Sequence, residues 1–223
     1  MRTFHEQLLN QVVQERKRIV SRRSLLGGGA ALMGGAFAIG LGATGGGLGI
    51  ASTFAQDNES PFADDVEVLN YALTLEHLET AFYRDGIGQY DLGTDDYGND
   101  IAEYLMMVGQ HEADHVTTLT QVITDLGGTP VEEATYDFGY TDAASFLATA
   151  AAVENTGVSA YDGAGQYLEN LDLITAAGSI VAVEARHAAY LNVVTGAAPA
   201  PDAFEQAKSP DEVLEIAGPF IVQ

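Results

Sequence analysis

The chain has 223 residues, 25 of them glycine, lacks both cysteine and tryptophan, and carries a formal net charge of −23. Its acids are concentrated after residue 55, where 30 Asp and Glu face only Arg84, Arg186 and Lys208, a balance of −27. So acidic a chain is excluded from ordinary nucleic-acid binding, and without disulfides its remaining length of about 168 residues must be held by one hydrophobic core.

Residues 1–55 are of a different composition. They hold six of the nine basic residues and only Glu6 and Glu15 as acids. Ser21-Arg22-Arg23-Ser24-Leu25-Leu26 opens an uncharged run that reaches Gln56, with 11 glycines between Leu25 and Ala51. Paired arginines ahead of a weakly hydrophobic, glycine-rich stretch resemble a twin-arginine export signal, with Thr53-Phe54-Ala55 as its small-residue cleavage site. The alternative is an uncleaved anchor, because a run of about 27 residues is long enough to cross a bilayer. Either reading places the acidic part outside the cytoplasm, secreted or at the cell surface, and confines membrane contact to the N-terminal segment. The scarcity of lysine beside so many acids resembles proteins of salt-loving organisms, whose surface repulsion is screened within a few Å. The other reading of that charge is a surface that gathers cations or basic partners.

From about Asp64 to Arg84, Leu69, Leu73 and Tyr83 share a helical stripe with Glu76, so the first predicted helix buries a carboxylate. A Gly- and Asp-rich loop from Gly86 to Asn99 leads to a second helix, from about Asp100 to Leu126. Its stripe of Leu105, Val108, Glu112, His115, Leu119 and Val122 sets Glu112 and His115 one turn apart on the buried face. Gly127-Gly128-Thr129-Pro130 stops that helix, and a connection of about a dozen residues runs to Thr141-Asp142, an N-cap signal. The third helix extends to about Asn170 with Leu147, Ala151, Glu154, Tyr161 and Leu168 on its stripe. A tight turn then gives the fourth, from about Leu171 to Thr195, carrying Ile180, Glu184, His187, Leu191 and Val194. In the tail, Ser209-Pro210-Asp211-Glu212 is a capping box with proline at the first helical position, opening a short fifth helix that ends near Gly218.

The two halves repeat. Glu76 precedes Tyr83 by seven residues as Glu154 precedes Tyr161, and each half then supplies a Glu-x-x-His pair, Glu112 with His115 and Glu184 with His187. The architecture predicted is all-α: a four-helix bundle over residues 56–197 made of two helical hairpins joined by a long crossover, with 198–223 a tail bearing the short helix. Four carboxylates and two imidazoles on apolar stripes are costly to desolvate unless compensated, and two divalent cations balance them. Mixed carboxylate and imidazole ligation suits iron, manganese or zinc.

One Glu from each of two helices and Glu-x-x-His from each of the other two is similar to the ligand set of ferritin-like di-iron and di-manganese proteins. The stretches Leu69-Asn70-Tyr71-Ala72-Leu73 and Leu75-Glu76-His77-Leu78-Glu79, and the ending Ser209-Pro210-Asp211-Glu212-Val213-Leu214 with Gly218-Pro219-Phe220, resemble the ferritin-like family that includes desiccation-related proteins. That resemblance implies that Glu112 and Glu184 pair with His115 and His187 at two iron ions, while Glu76 and Glu154 complete or bridge the pair. It implies dioxygen or peroxide chemistry, or iron handling in stress protection, possible in a homo-oligomer; a metal-free structural or desiccation-type envelope protein is the alternative. Glu79, whose counterpart is Gly157, is either a seventh, movable ligand, as in rubrerythrin-like sites, or a solvated glutamate. Many di-iron proteins place an aspartate directly before the Glu-x-x-His glutamate to orient a histidine across the site. Here His111 and Val183 stand there, so orientation is expected from elsewhere. Tyr83 and Tyr161 are read as core packing, with hydrogen bonds to ligating carboxylates as the other reading. His111-Glu112-Ala113-Asp114-His115 also spells the H-E-x-x-H signature of zinc proteases, a rival that leaves the second pair and the tyrosine repeat without a role; His111 and His77 are otherwise read as helix-flank residues, with support of a ligating residue as the other reading.

Overall fold

The computed structural model describes residues 60–222. The twin-arginine motif, its cleavage site and the anchor alternative lie outside the described residues. Among the described residues no helix is long and apolar enough to cross a membrane.

Four long helices make up the bundle: α1 (Asp65–Gly86), α2 (Ile101–Asp125), α3 (Ala143–Gly165) and α4 (Leu171–Val194). Each starts where a short polar side chain takes up a free backbone N–H, the requirement at every helix N-terminus. Asp64 accepts from the Glu67 amide at 3.0 Å, Asp100 from Glu103 at 3.2 Å, and Asp142 with Ser145 forms a capping box. α1 packs chiefly on α2 and α3 on α4, the two expected hairpins, and α1 meets α3 between them. The tail adds α5 (Pro210–Ala217), opened by the expected Ser209–Glu212 capping box with Pro210 in its first turn, and α5 lies against α3.

Two details depart from the expected elements. α3 ends at Gly165, five residues early, because residues 166–170 form the turn. The backbone amides of Glu169 and Asn170 donate to the Asp65 carboxylate at 2.7 and 3.1 Å, and the Asn170 side chain caps α4. The crossover contains β1 (Thr135–Tyr136), which pairs antiparallel with β2 (Ile221–Val222) at the end of the chain, so a two-residue ribbon ties the tail to the crossover. Two residues show no detectable alternation, and the pairing closes over a long sequence separation.

Along the bundle the apolar core falls into two clusters. One gathers Phe82, Leu105, Val108, Phe146 and Leu191; the other gathers Leu69, Leu73, Leu119, Ile123 and Ile180. Glu76, Glu112, Glu154 and Glu184 occupy the helix turns between them. The first cluster is closed by aromatic packing: Phe82 of α1 stacks on Phe146 of α3 at 4.7 Å and meets Phe138 of the crossover edge-on at 5.0 Å. The crossover is pinned along α1 by Asn70, which bonds Thr129 and Val131, by His77 on the Val131 carbonyl at 3.1 Å, and by the Arg84–Glu133 pair at 2.9 Å. His77 therefore braces the crossover.

The tail crosses α3 at close range. Lys208 donates its backbone N–H to the Ser159 carbonyl at 3.0 Å, and a Cβ on Gly163 would stand 1.9 Å from the Lys208 carbonyl oxygen. Gly163→Ala is expected to cost about 2 kcal/mol, lowering the thermal midpoint by about 4–8 °C. Gly165→Ala, two residues on and facing open space, should leave stability unchanged or raise it by up to about 1 kcal/mol. Thermal unfolding of the two variants in high salt checks the pair.

Candidate metal centre

Helical spacing brings the six predicted groups to one level of the bundle. Glu76, Glu112, Glu154 and Glu184 have no exposed surface, His187 is 2% exposed, and the His115 side chain, at 13%, is the member that reaches solvent. Their donor atoms form two overlapping groups that could hold a metal ion: Glu76, Glu112, His115 and Glu184, and Glu112, Glu154, Glu184 and His187. Glu112 and Glu184 belong to both. Glu76 and Glu154 each belong to one.

The contacts within the layer suit a cation better than one another. His115 Nδ1 lies 2.9 Å from Glu112, 2.9 Å from Glu184 and 3.2 Å from Glu76, and a single N–H cannot serve three carboxylates. His187 Nδ1 lies 2.9 Å from Glu112 Oε1 and 3.3 Å from Glu154 Oε2, yet none of these three buried atoms has a hydrogen-bond partner. Both Glu184 oxygens are likewise without one. Atoms in near contact but misaligned for hydrogen bonding converge on a shared point, the arrangement a metal ion satisfies. The donor set therefore fits one or two ions of the kind that take carboxylate and imidazole together.

In the absence of cations the layer must hold protons. Burial, and then repulsion from Glu184, pushes Glu76 up to about 8 against the pull of its His115 hydrogen bond. Burial and the neighbouring carboxylates likewise raise Glu79 and Glu154 well above the ordinary glutamate range. For His187 burial acts against the imidazolium, but the surrounding carboxylates of Glu112, Glu154 and Glu184 outweigh it and hold the ring up to about 12. Glu184, flanked by both histidines, is drawn down to about 2 despite its burial.

Tyr83 and Tyr161 are buried, but they do more than fill the core. Tyr83 donates its hydroxyl to Glu154 Oε1 at 2.5 Å and Tyr161 donates to Glu76 Oε1. Each tyrosine thus holds the glutamate of the opposite hairpin, although in sequence it follows the glutamate of its own by seven residues. Burial raises both phenols well above their ordinary value, so they remain donors, and the second oxygen of each glutamate is left facing a histidine.

His111 supplies the orientation that was expected from elsewhere. Its Nδ1 meets His187 Nε2 at 3.0 Å with the two rings nearly parallel, so the position directly before Glu112 does brace the histidine across the bundle. At the equivalent place Val183 offers no such contact to His115. His111 belongs to neither group of metal donors, whereas H-E-x-x-H zinc chemistry needs it beside His115 on one ion. Glu79 is 2% exposed, which overturns the solvated reading, and its Oε2 has no hydrogen-bond partner. A Cβ on Gly157 would lie 2.6 Å from Glu79 Oε1, so the missing side chain in one half makes room for the extra carboxylate of the other.

A bundle of two helical hairpins around a buried layer of four glutamates and two histidines defines a ferritin-like carboxylate protein. Residues 64–197 match the ferritin-like domain family, and the chain belongs to it. No significant match to the chain is found among curated proteins.

The protons held by the layer set a pH dependence. A carboxylate raised in the folded state favours folding fully below its unfolded value near 4.5, and the advantage is lost as pH rises toward the folded value. The raised histidines act in the same direction above about 6.5. With metal chelated, stability should fall between about pH 5 and pH 8, with a slope of about 1.4 kcal/mol per pH unit for each proton retained. Glu154→Gln should make that slope shallower, as denaturant midpoints across a pH series would show.

Proposed function

We propose that the chain is an exported ferritin-like protein that binds a dinuclear centre, iron in preference to manganese or zinc, and reacts there with dioxygen or peroxide. The observation that carries this reading is the sharing of Glu112 and Glu184 between two donor groups, each completed by one further glutamate and one histidine. Four carboxylates balance two divalent cations, whereas a metal-free layer would have to keep several protons at neutral pH. Export rests on the twin-arginine pattern at Arg22-Arg23, and the acidic surface supports operation in high salt.

In this reading Glu76 and His115 complete one position and Glu154 and His187 the other, with Glu112 and Glu184 between them. Two ferrous ions bound there would supply two electrons, enough with two protons to convert dioxygen to hydrogen peroxide, or peroxide to two waters. The chain's own groups set the conditions. Tyr83 and Tyr161 fix the outer carboxylates by one oxygen each, and His111 fixes the His187 ring. The apolar clusters above and below exclude water, and the His115 side gives the layer its contact with solvent. Glu79 is placed to act as a movable carboxylate, having an unpartnered oxygen one turn from Glu76.

Metal analysis of the protein from its native host in high salt tests the proposal. About two iron or manganese ions per chain are expected. Glu112→Ala with Glu184→Ala should abolish binding of both, and ferrous iron added anaerobically should restore two per chain to the wild type alone. A single zinc lost with His111→Ala but retained in Glu184→Ala would return the chain to the protease reading. No metal after reconstitution would leave a structural envelope protein of the desiccation-related kind.

A further inference from the structure

Beside the carboxylate layer, on the side of the cluster containing Leu69 and Leu119, the bundle forms a partly open apolar cavity of about 30 Å³. The space is left by the small side chains Ala72, Ala160 and Ala164 and walled by Leu69, Leu119 and the ring of Tyr161. The same Tyr161 places its hydroxyl on Glu76, so the cavity ends one side chain away from the outer carboxylate of the site. Tyr71 also lines it, and its buried hydroxyl has no hydrogen-bond partner.

Size and lining decide what such a space accepts. At about 30 Å³ it has room for a guest of two or three heavy atoms. A buried water needs two to four polar partners, and here it would find only the Tyr71 hydroxyl, because that of Tyr161 is committed to Glu76. Hydrogen peroxide, which must also be hydrogen-bonded, is disfavoured on the same ground, and ions are excluded by the apolar walls. A small, uncharged, apolar molecule needs no partner and gains dispersion contacts from the apolar walls.

We infer that this cavity is a dioxygen-holding site that delivers the gas to the carboxylate layer past Tyr161, so that of the two oxidants dioxygen arrives through the apolar core. The inference rests on the dinuclear reading above and specifies its oxidant. Peroxide then approaches by the partly exposed His115 side, and the two oxidants use different doors.

Xenon, an apolar probe of comparable size, tests the cavity in the full metal-free chain. Under xenon pressure, saturable NMR shift changes are expected at the methyl groups of Leu69 and Leu119, and are expected to vanish in Ala164→Val and in Ala72→Val, two independent ways of filling the space. In the iron-loaded chain the same variants should slow oxidation by dioxygen about tenfold, while oxidation by hydrogen peroxide stays unchanged. Absence of xenon binding in a chain that does react with dioxygen overturns the cavity and leaves the dinuclear reading standing. So does an equal slowing of both oxidants, or of neither, in variants that no longer bind xenon. A chain that takes up no iron removes the centre and the delivery role together, whatever xenon does.

Discussion

Mutual repulsion among carboxylates removed from water is the constraint on which the rest of this structure depends. Glu76, Glu112, Glu154, Glu184 and Glu79 lie close together inside a helical bundle with the imidazoles of His115 and His187 as counter-charges, and among the described residues no lysine or arginine enters the layer. Burying one unpaired carboxylate is costly enough that proteins rarely do so. Five together are compatible with a stable fold only when protons or cations occupy the space between them, so the site and the fold cannot be designed separately.

The surrounding architecture answers that constraint from several directions. Two apolar clusters, one on each side of the layer, supply the burial that a cysteine-free chain needs and also keep water from the carboxylates. The tyrosines cross from hairpin to hairpin, so the contact between α1 and α3 is stitched by two hydrogen bonds that are also the supports of the outer glutamates. The crossover and tail close over the bundle: Asn70, His77 and Arg84 fix the crossover to α1, and the β1–β2 pair fixes the chain end to the crossover. Loosening any of these elements would reach the carboxylate layer through α1 or α3.

Much of this was legible in the sequence because it is periodic. Helical spacing placed Glu76, Glu112, His115, Glu154, Glu184 and His187 on buried faces, and the caps at Asp142 and Ser209 marked two helix starts where the structure has them. What escaped depends on partners distant in the chain. Nothing local says that Tyr83 bonds Glu154 rather than Glu76, or that Asp65 takes the amides of residues 169 and 170 and so ends α3 early. The buried state of Glu79 was written at Gly157, but only the packing of α1 against α3 makes those two positions neighbours. His111 was open to two readings, flank residue or support of a ligand, and only the approach of α4 shows its ring against that of His187.

The repeat is exact in the donors and broken in what stands behind them. His187 is gripped by His111 and almost sealed from solvent, whereas His115 has Val183 at the corresponding place and touches water. Glu79 adds a carboxylate to one half where the other has the bare backbone of Gly157. A chain built from two matching halves thereby offers two unequal seats, one rigid and enclosed, the other adaptable and open. The proposed centre would therefore be asymmetric, one donor group sealed and braced from behind, the other open to solvent at His115.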